Sequence, residues 1–184
     1  MQLKNILSSS ELKLIPLFFL IFGVIARFLP HPANFAPITA IALFGARYLP
    51  KKFAFILPIS ILLISDLFLG FYGPEMFFVY GSFILAGFIG LVSRHKKSLS
   101  FIPFTSISSS VIFFLITNFG VWLTTTIYTK NLIGLESCFI AAIPFFRNTF
   151  LGDILYTTLF IGGYELSLIL GKKLLSRQKF ELAF

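Results

Sequence analysis

Seven side chains that make strong polar or stacking contacts stand inside otherwise apolar stretches: Arg27, Asp66, Asn118, Trp122, Arg147, Asn148 and Asp153. Their chemistry is recognition. A guanidinium grips carboxylates or carbonyls in bidentate fashion. An aspartate holds such an arginine or accepts hydrogen bonds, and an indole stacks on a ring. Reaction chemistry has no comparable set. No glycine-rich phosphate loop precedes a lysine, and neither Gly-x-Ser-x-Gly nor His-Glu-x-x-His occurs. His31 and His95 are far apart, and the lone Cys138 excludes an intramolecular disulfide and any multi-cysteine metal site. No catalytic residue, metal or cofactor is expected. Arg147 and Asp153 are six apart and Asn148 and Asp153 five apart, whereas helix neighbours are three or four apart. Their partners must come from other helices or from a ligand. Asp66 has two candidate cations, Arg27 and Arg147, and a packing ion pair explains any one of these residues as well as ligand binding does.

The elements that position them are read from composition. The 184 residues are 57% hydrophobic, 18% aromatic and 12% charged, about half the charged share of an ordinary soluble domain. Mean hydropathy is +0.94. So short and apolar a chain cannot hide its surface in a water-soluble core. The expected fold is all-α, a polytopic membrane protein with a bundle of six transmembrane helices. A span needs about 17 to 25 apolar residues. Candidates are Leu14 to Leu29, Phe35 to Tyr48, Phe53 to Phe71, Met76 to Ser93, Pro103 to Ile127 and Phe145 to Gly171, the last preceded by a shorter apolar segment from Cys138. Residues 1–13 then form an N-terminal segment, 14–171 the helical domain and 172–184 a basic tail. Small residues (Ala36 and Ala40, Ala42 and Ala46, Gly87 and Gly90) recur at spacings that let helices approach closely.

The net charge of +8 does not indicate nucleic acid, because the cations come in small clusters between apolar runs. Lys4 and Lys13, the Arg47–Lys52 and Arg94–Lys97 loops, and the tail with Lys172, Lys173, Arg177 and Lys179 alternate with loops poor in cations. The positive-inside rule places both termini in the cytoplasm. In that orientation Arg27, Asp66, Asn118, Trp122, Arg147, Asn148 and Asp153 fall in the outer half, and Glu165 lies toward the cytoplasmic end near Lys172 and Lys173. Buried charges cost several kcal/mol unless paired, so these groups are expected to converge on a pocket that opens outward.

The run NFAPITAIALFGARYLPKKFAFILPISILLISDLFLGFYGPE is similar to a pattern in the substrate-binding S-components of energy-coupling factor (ECF) transporters. A short Pro- and Ala-rich second helix leads through a Gly-x-x-x-x-Pro turn into a third. PHPANFAPITAIALFG and IPFFRNTFLGD also resemble an uncharacterised family of S-component-like bacterial membrane proteins. The resemblance covers about residues 14–171. It implies a multi-pass protein of the bacterial inner (plasma) membrane that binds a vitamin or related small nutrient and performs no covalent chemistry. The implied partners are a transmembrane coupling subunit and its ATPases. The Ala-x-x-x-Ala pattern that docks the coupling subunit in that family is absent, and span one offers only Gly23 and Ala26. Two competing expectations are an assembly subunit without a ligand, and a lipid-modifying enzyme with Asp66 and Asp153 as acid and base.

Overall fold

The computed structural model describes residues 11–96 and 101–171. Lys4, Lys97 and the tail cations Lys172, Lys173, Arg177 and Lys179 lie outside the described residues. All regular structure within them is helical: α1 (Glu11–Phe28), α2 (Ile38–Tyr48), α3 (Phe53–Leu69), α4 (Glu75–Ser93), α5 (Phe101–Thr124) and α6 (Leu132–Thr157). A π-helical segment, Thr158–Gly162, follows α6, and the helix runs on without a break to Gly171. The π segment widens the turn, as such bulges do.

Three helices are long and apolar enough to cross a membrane, not six: Glu75–Ser93, Phe101–Thr124 and Leu132–Gly171, with mean hydropathies of 2.0, 1.6 and 1.4. The apolar stretch of α1, Leu14–Phe28, and the helices Ile38–Tyr48 and Phe53–Leu69 are shorter. The reasons are local. Pro37 has no N–H to give and starts α2 at Ile38, so Phe35 to Pro37 stay outside the helix. Gly70, at φ 96°, takes the left-handed turn that stops α3 before Phe71. The last helix departs in the other direction. It begins at Leu132, where Asn131 accepts from the Gly134 N–H as an N-cap. The apolar segment from Cys138 is thus part of this one helix.

Helix α2 survives at 11 residues because it is the hub, with ten of them buried. It packs on every other helix, most closely on α3 and α4. Small residues make this possible. A Cβ on Gly90 would meet Ala46 Cβ at 2.6 Å, and one on Gly87 would meet the Ala54 carbonyl at 2.7 Å. The small-residue spacing therefore serves packing within the chain. Arg94 closes the C-terminus of α2 by donating to the carbonyls of Ala46 and Leu49, each at 2.9 Å, where a cation also suits the helix dipole. The connections alternate between two ends. One carries Arg47, Lys51, Lys52, Arg94 and Lys96 and is called the basic end below. The other holds the α1–α2, α3–α4 and α5–α6 turns. Large apolar side chains cover the outside, with Phe68, Phe77 and Val92 each at least 74% exposed, as a lipid-facing surface would be.

Candidate functional site

Arg27 sits in the last turn of α1 and Asp66 three residues before the end of α3, both at the end away from the basic loops. Helices α1 and α3 pack side by side, so Asp66 receives Arg27 and not Arg147. Arg27 Nη1 lies 2.7 Å from Asp66 Oδ1 and donates to Ser65 Oγ at 2.5 Å. The Ser65 hydroxyl gives its own proton to the Ile61 carbonyl at 2.6 Å, which leaves a lone pair for the arginine. Tyr80, on α4, donates to Asp66 Oδ2 at 2.7 Å. The Asp66 side chain is 1% exposed and that of Arg27 is 16% exposed. This is a closed ion pair in which the arginine side chain keeps partial exposure. Tyr72 stands beside it in the α3–α4 turn. Burial, and then the Asp66 carboxylate, push its phenol up from the ordinary value, so it stays a hydrogen-bond donor through the neutral range.

Asp153 lies elsewhere and has a different environment. It is 2% exposed. Ser110 of α5 stands 2.7 Å from its Oδ2, and the buried Thr39 of α2 offers a second hydroxyl. The ion pairs among the described residues are Arg27–Asp66 and Arg47–Glu165, so no cation in them answers Asp153. Sequence spacing placed its partners on other helices, and that is where they are.

The remaining expected site residues do not gather at either acid. Arg147 is exposed on α6, on a face with Ile140, Ile143 and Leu151. Asn148 is half-buried. Asn118 donates to the Phe114 carbonyl of its own helix at 2.7 Å. Trp122 donates to the Thr129 carbonyl at 2.9 Å, and Lys130 covers its ring. Because the last helix starts at Leu132, Arg147 and Asn148 are about 22 and 24 Å along it, short of its midpoint. Asp153 is about 31 Å along that helix, past its midpoint.

A family model described as a family of unknown function (DUF6580) matches residues 8–175. The chain belongs to this family. No curated protein and no solved structure matches it. The DUF6580 match spans all six helices and both buried acids.

Sequence reasoning missed the DUF6580 chain's partner residues. Ser65, Tyr80, Ser110 and Thr39 carry no charge and sit in apolar runs. One signal was available: Ser106 and Ser110 recur one turn apart on α5, and both are at most 1% exposed. At the basic end, Tyr48 donates to Glu165 at 2.6 Å, and Arg47 stands 3.8 Å from the same carboxylate. A narrow crevice there is lined by Leu43, Arg47, Ser93, Phe101 and Thr105.

Proposed function

We propose that this protein is a six-helix integral membrane protein that binds a small, water-soluble nutrient with an anionic or carbonyl group for uptake, in the manner of the ECF S-components it resembles. The observation that carries the reading is Arg27: a guanidinium fixed by Asp66 and Ser65, on a partly exposed side chain, at the end of the bundle opposite the basic loops. The positive-inside rule turns the basic end toward the cytoplasm and Arg27 outward. A carboxylate ligand would share the guanidinium with Asp66, and Tyr72 would supply a donor beside it. Mass spectrometry of small molecules that travel with the purified protein, followed by thermal-shift titration of each, tests this. Saturable binding that is lost in Arg27→Lys, with the protein still folded, supports the reading. A protein that carries no ligand and responds to no candidate overturns it.

One observation favours a second reading, that of an assembly subunit. Arg147 is exposed near the middle of the last helix on an apolar face, and a cation at that depth is costly without a partner. A membrane subunit that co-purifies stoichiometrically and is lost in Arg147→Ala would support this alternative.

A further inference from the structure

Asp153 is unused by the ligand reading, and its surroundings point to a separate role. We propose that Asp153 is an internal proton-binding site whose proton is held against the Ser110 hydroxyl of α5. A hydroxyl has one proton to give. Ser110 Oγ lies 2.7 Å from Asp153 Oδ2 and 3.1 Å from the Ser106 carbonyl. When the carboxyl is protonated, it donates to Ser110, and Ser110 donates to the Ser106 backbone carbonyl. When the carboxyl loses its proton, Ser110 turns and donates to the carboxylate. The same heavy-atom positions serve both states, and the only species gained or lost is H⁺.

Further buried hydroxyls line the packed helices below Ser110. Thr105, Ser106 and Ser109 are each at most 4% exposed, and Thr157 of α6 is 1% exposed. Thr157 Oγ1 lies 3.4 Å from Ser106 Oγ. Thr105 reaches the crevice at the basic end, together with Arg47 and Ser93. From Ser110 to Thr105 is about 7.5 Å along the helix.

Among the described residues, no charged group on the packed elements competes for this site. Helix α5 has no ionisable side chain. On α2, Arg47 and Tyr48 are at the far end from Thr39 and are engaged with each other and with Glu165. His31, in the turn before α2, is bonded to the Pro32 carbonyl. On the last helix, Arg147 is exposed, Tyr156 packs on Phe35, and Tyr164 packs on Tyr48. An acid that takes and gives a proton inside the bundle is what a proton-linked change of conformation requires. This holds whether or not a ligand binds at Arg27.

Infrared spectroscopy of the full chain in lipid nanodiscs tests it. The wild type at neutral pH should show the carbonyl stretch of a protonated carboxylic acid. That band should vanish in Asp153→Asn, persist in Glu136→Gln and shift in Ser110→Ala, which keeps a readout if Asp153→Asn does not fold. Transfer to D₂O should shift the band. No such band in the wild type, or a band that survives Asp153→Asn, overturns the site. Loss of the band when Na⁺ replaces choline assigns the site to a metal cation and overturns the proton.

Discussion

Asp66 and Asp153 are the same side chain at nearly the same burial, 1% and 2% exposed, yet they are opposite solutions to one problem. Asp66 is answered by a guanidinium and a phenol, and the guanidinium is itself held by Ser65. Asp153 is answered by neutral hydroxyls. Burial alone does not tell what a buried acid does. Its partner decides whether it is a fixed charge or a group free to exchange a proton.

The largest effect expected from this contrast comes from removing the cation. Arg27→Met leaves the Asp66 charge in place with only neutral donors, and breaking a buried pair in this way costs about 3–5 kcal/mol. Thermal unfolding in detergent should show a correspondingly large fall in midpoint. The double variant Arg27→Met with Asp66→Leu should recover most of it, since an apolar replacement of both partners is often neutral. Equal losses in the single and double variants would show that packing, not charge, holds α1 to α3.

Next is the pair of isosteric amides. Asp66→Asn removes the charge that Arg27 bonds, and bonds to charged groups are worth about 1.5–3 kcal/mol. Asp153→Asn keeps a neutral group of the same shape beside Ser110, and its cost should stay under about 1 kcal/mol. The same unfolding assay ranks them. If Asp153→Asn proves the worse of the two, Asp153 is a fixed charge and the comparison collapses.

Much of the helical frame is legible in the sequence, for a simple reason. Apolar runs separated by Lys, Pro and Gly clusters mark helix ends directly, as at Pro50–Lys52 and Gly70–Pro74. The start of the last helix was hidden, because Glu136, Ser137 and Pro144 interrupt its hydropathy while Asn131 caps it from outside. The candidate site was half legible. Charged residues announce themselves by their cost in an apolar stretch, so Arg27, Asp66 and Asp153 stood out. Their partners did not. Which arginine meets Asp66 depends on α1 lying against α3, a tertiary fact. Ser110 reads as neutral because a mid-helix serine ordinarily returns its proton to its own backbone, and only the facing helix gives it another acceptor.

Smaller effects separate the neutral donors. Tyr80→Phe removes one bond to Asp66 and Ser110→Ala one contact to Asp153, so each should cost about 1 kcal/mol. The distinction lies in how they combine with the amides. Tyr80→Phe should be largely masked in an Asp66→Asn background. Ser110→Ala should cost the same in the wild-type and Asp153→Asn backgrounds, since the neutral acid and the amide bond it alike. A double-mutant cycle reads both. Strong coupling in the second pair would mean that an anion had been present.

The smallest effect is expected at Arg147, and it tests the boundary of both sites. The side chain is exposed, and no carboxylate among the described residues pairs with it. Exposed substitutions without such a partner usually fall within about 0.5 kcal/mol. Arg147→Ala should therefore leave unfolding of the isolated protein in detergent unchanged. A loss as large as that of Arg27→Met would require a carboxylate within the folded chain that answers Arg147. The only acids buried to that degree are Asp66 and Asp153 among the described residues. Either assignment would merge what the fold keeps as two sites, so a null result in this variant is what the division between them demands.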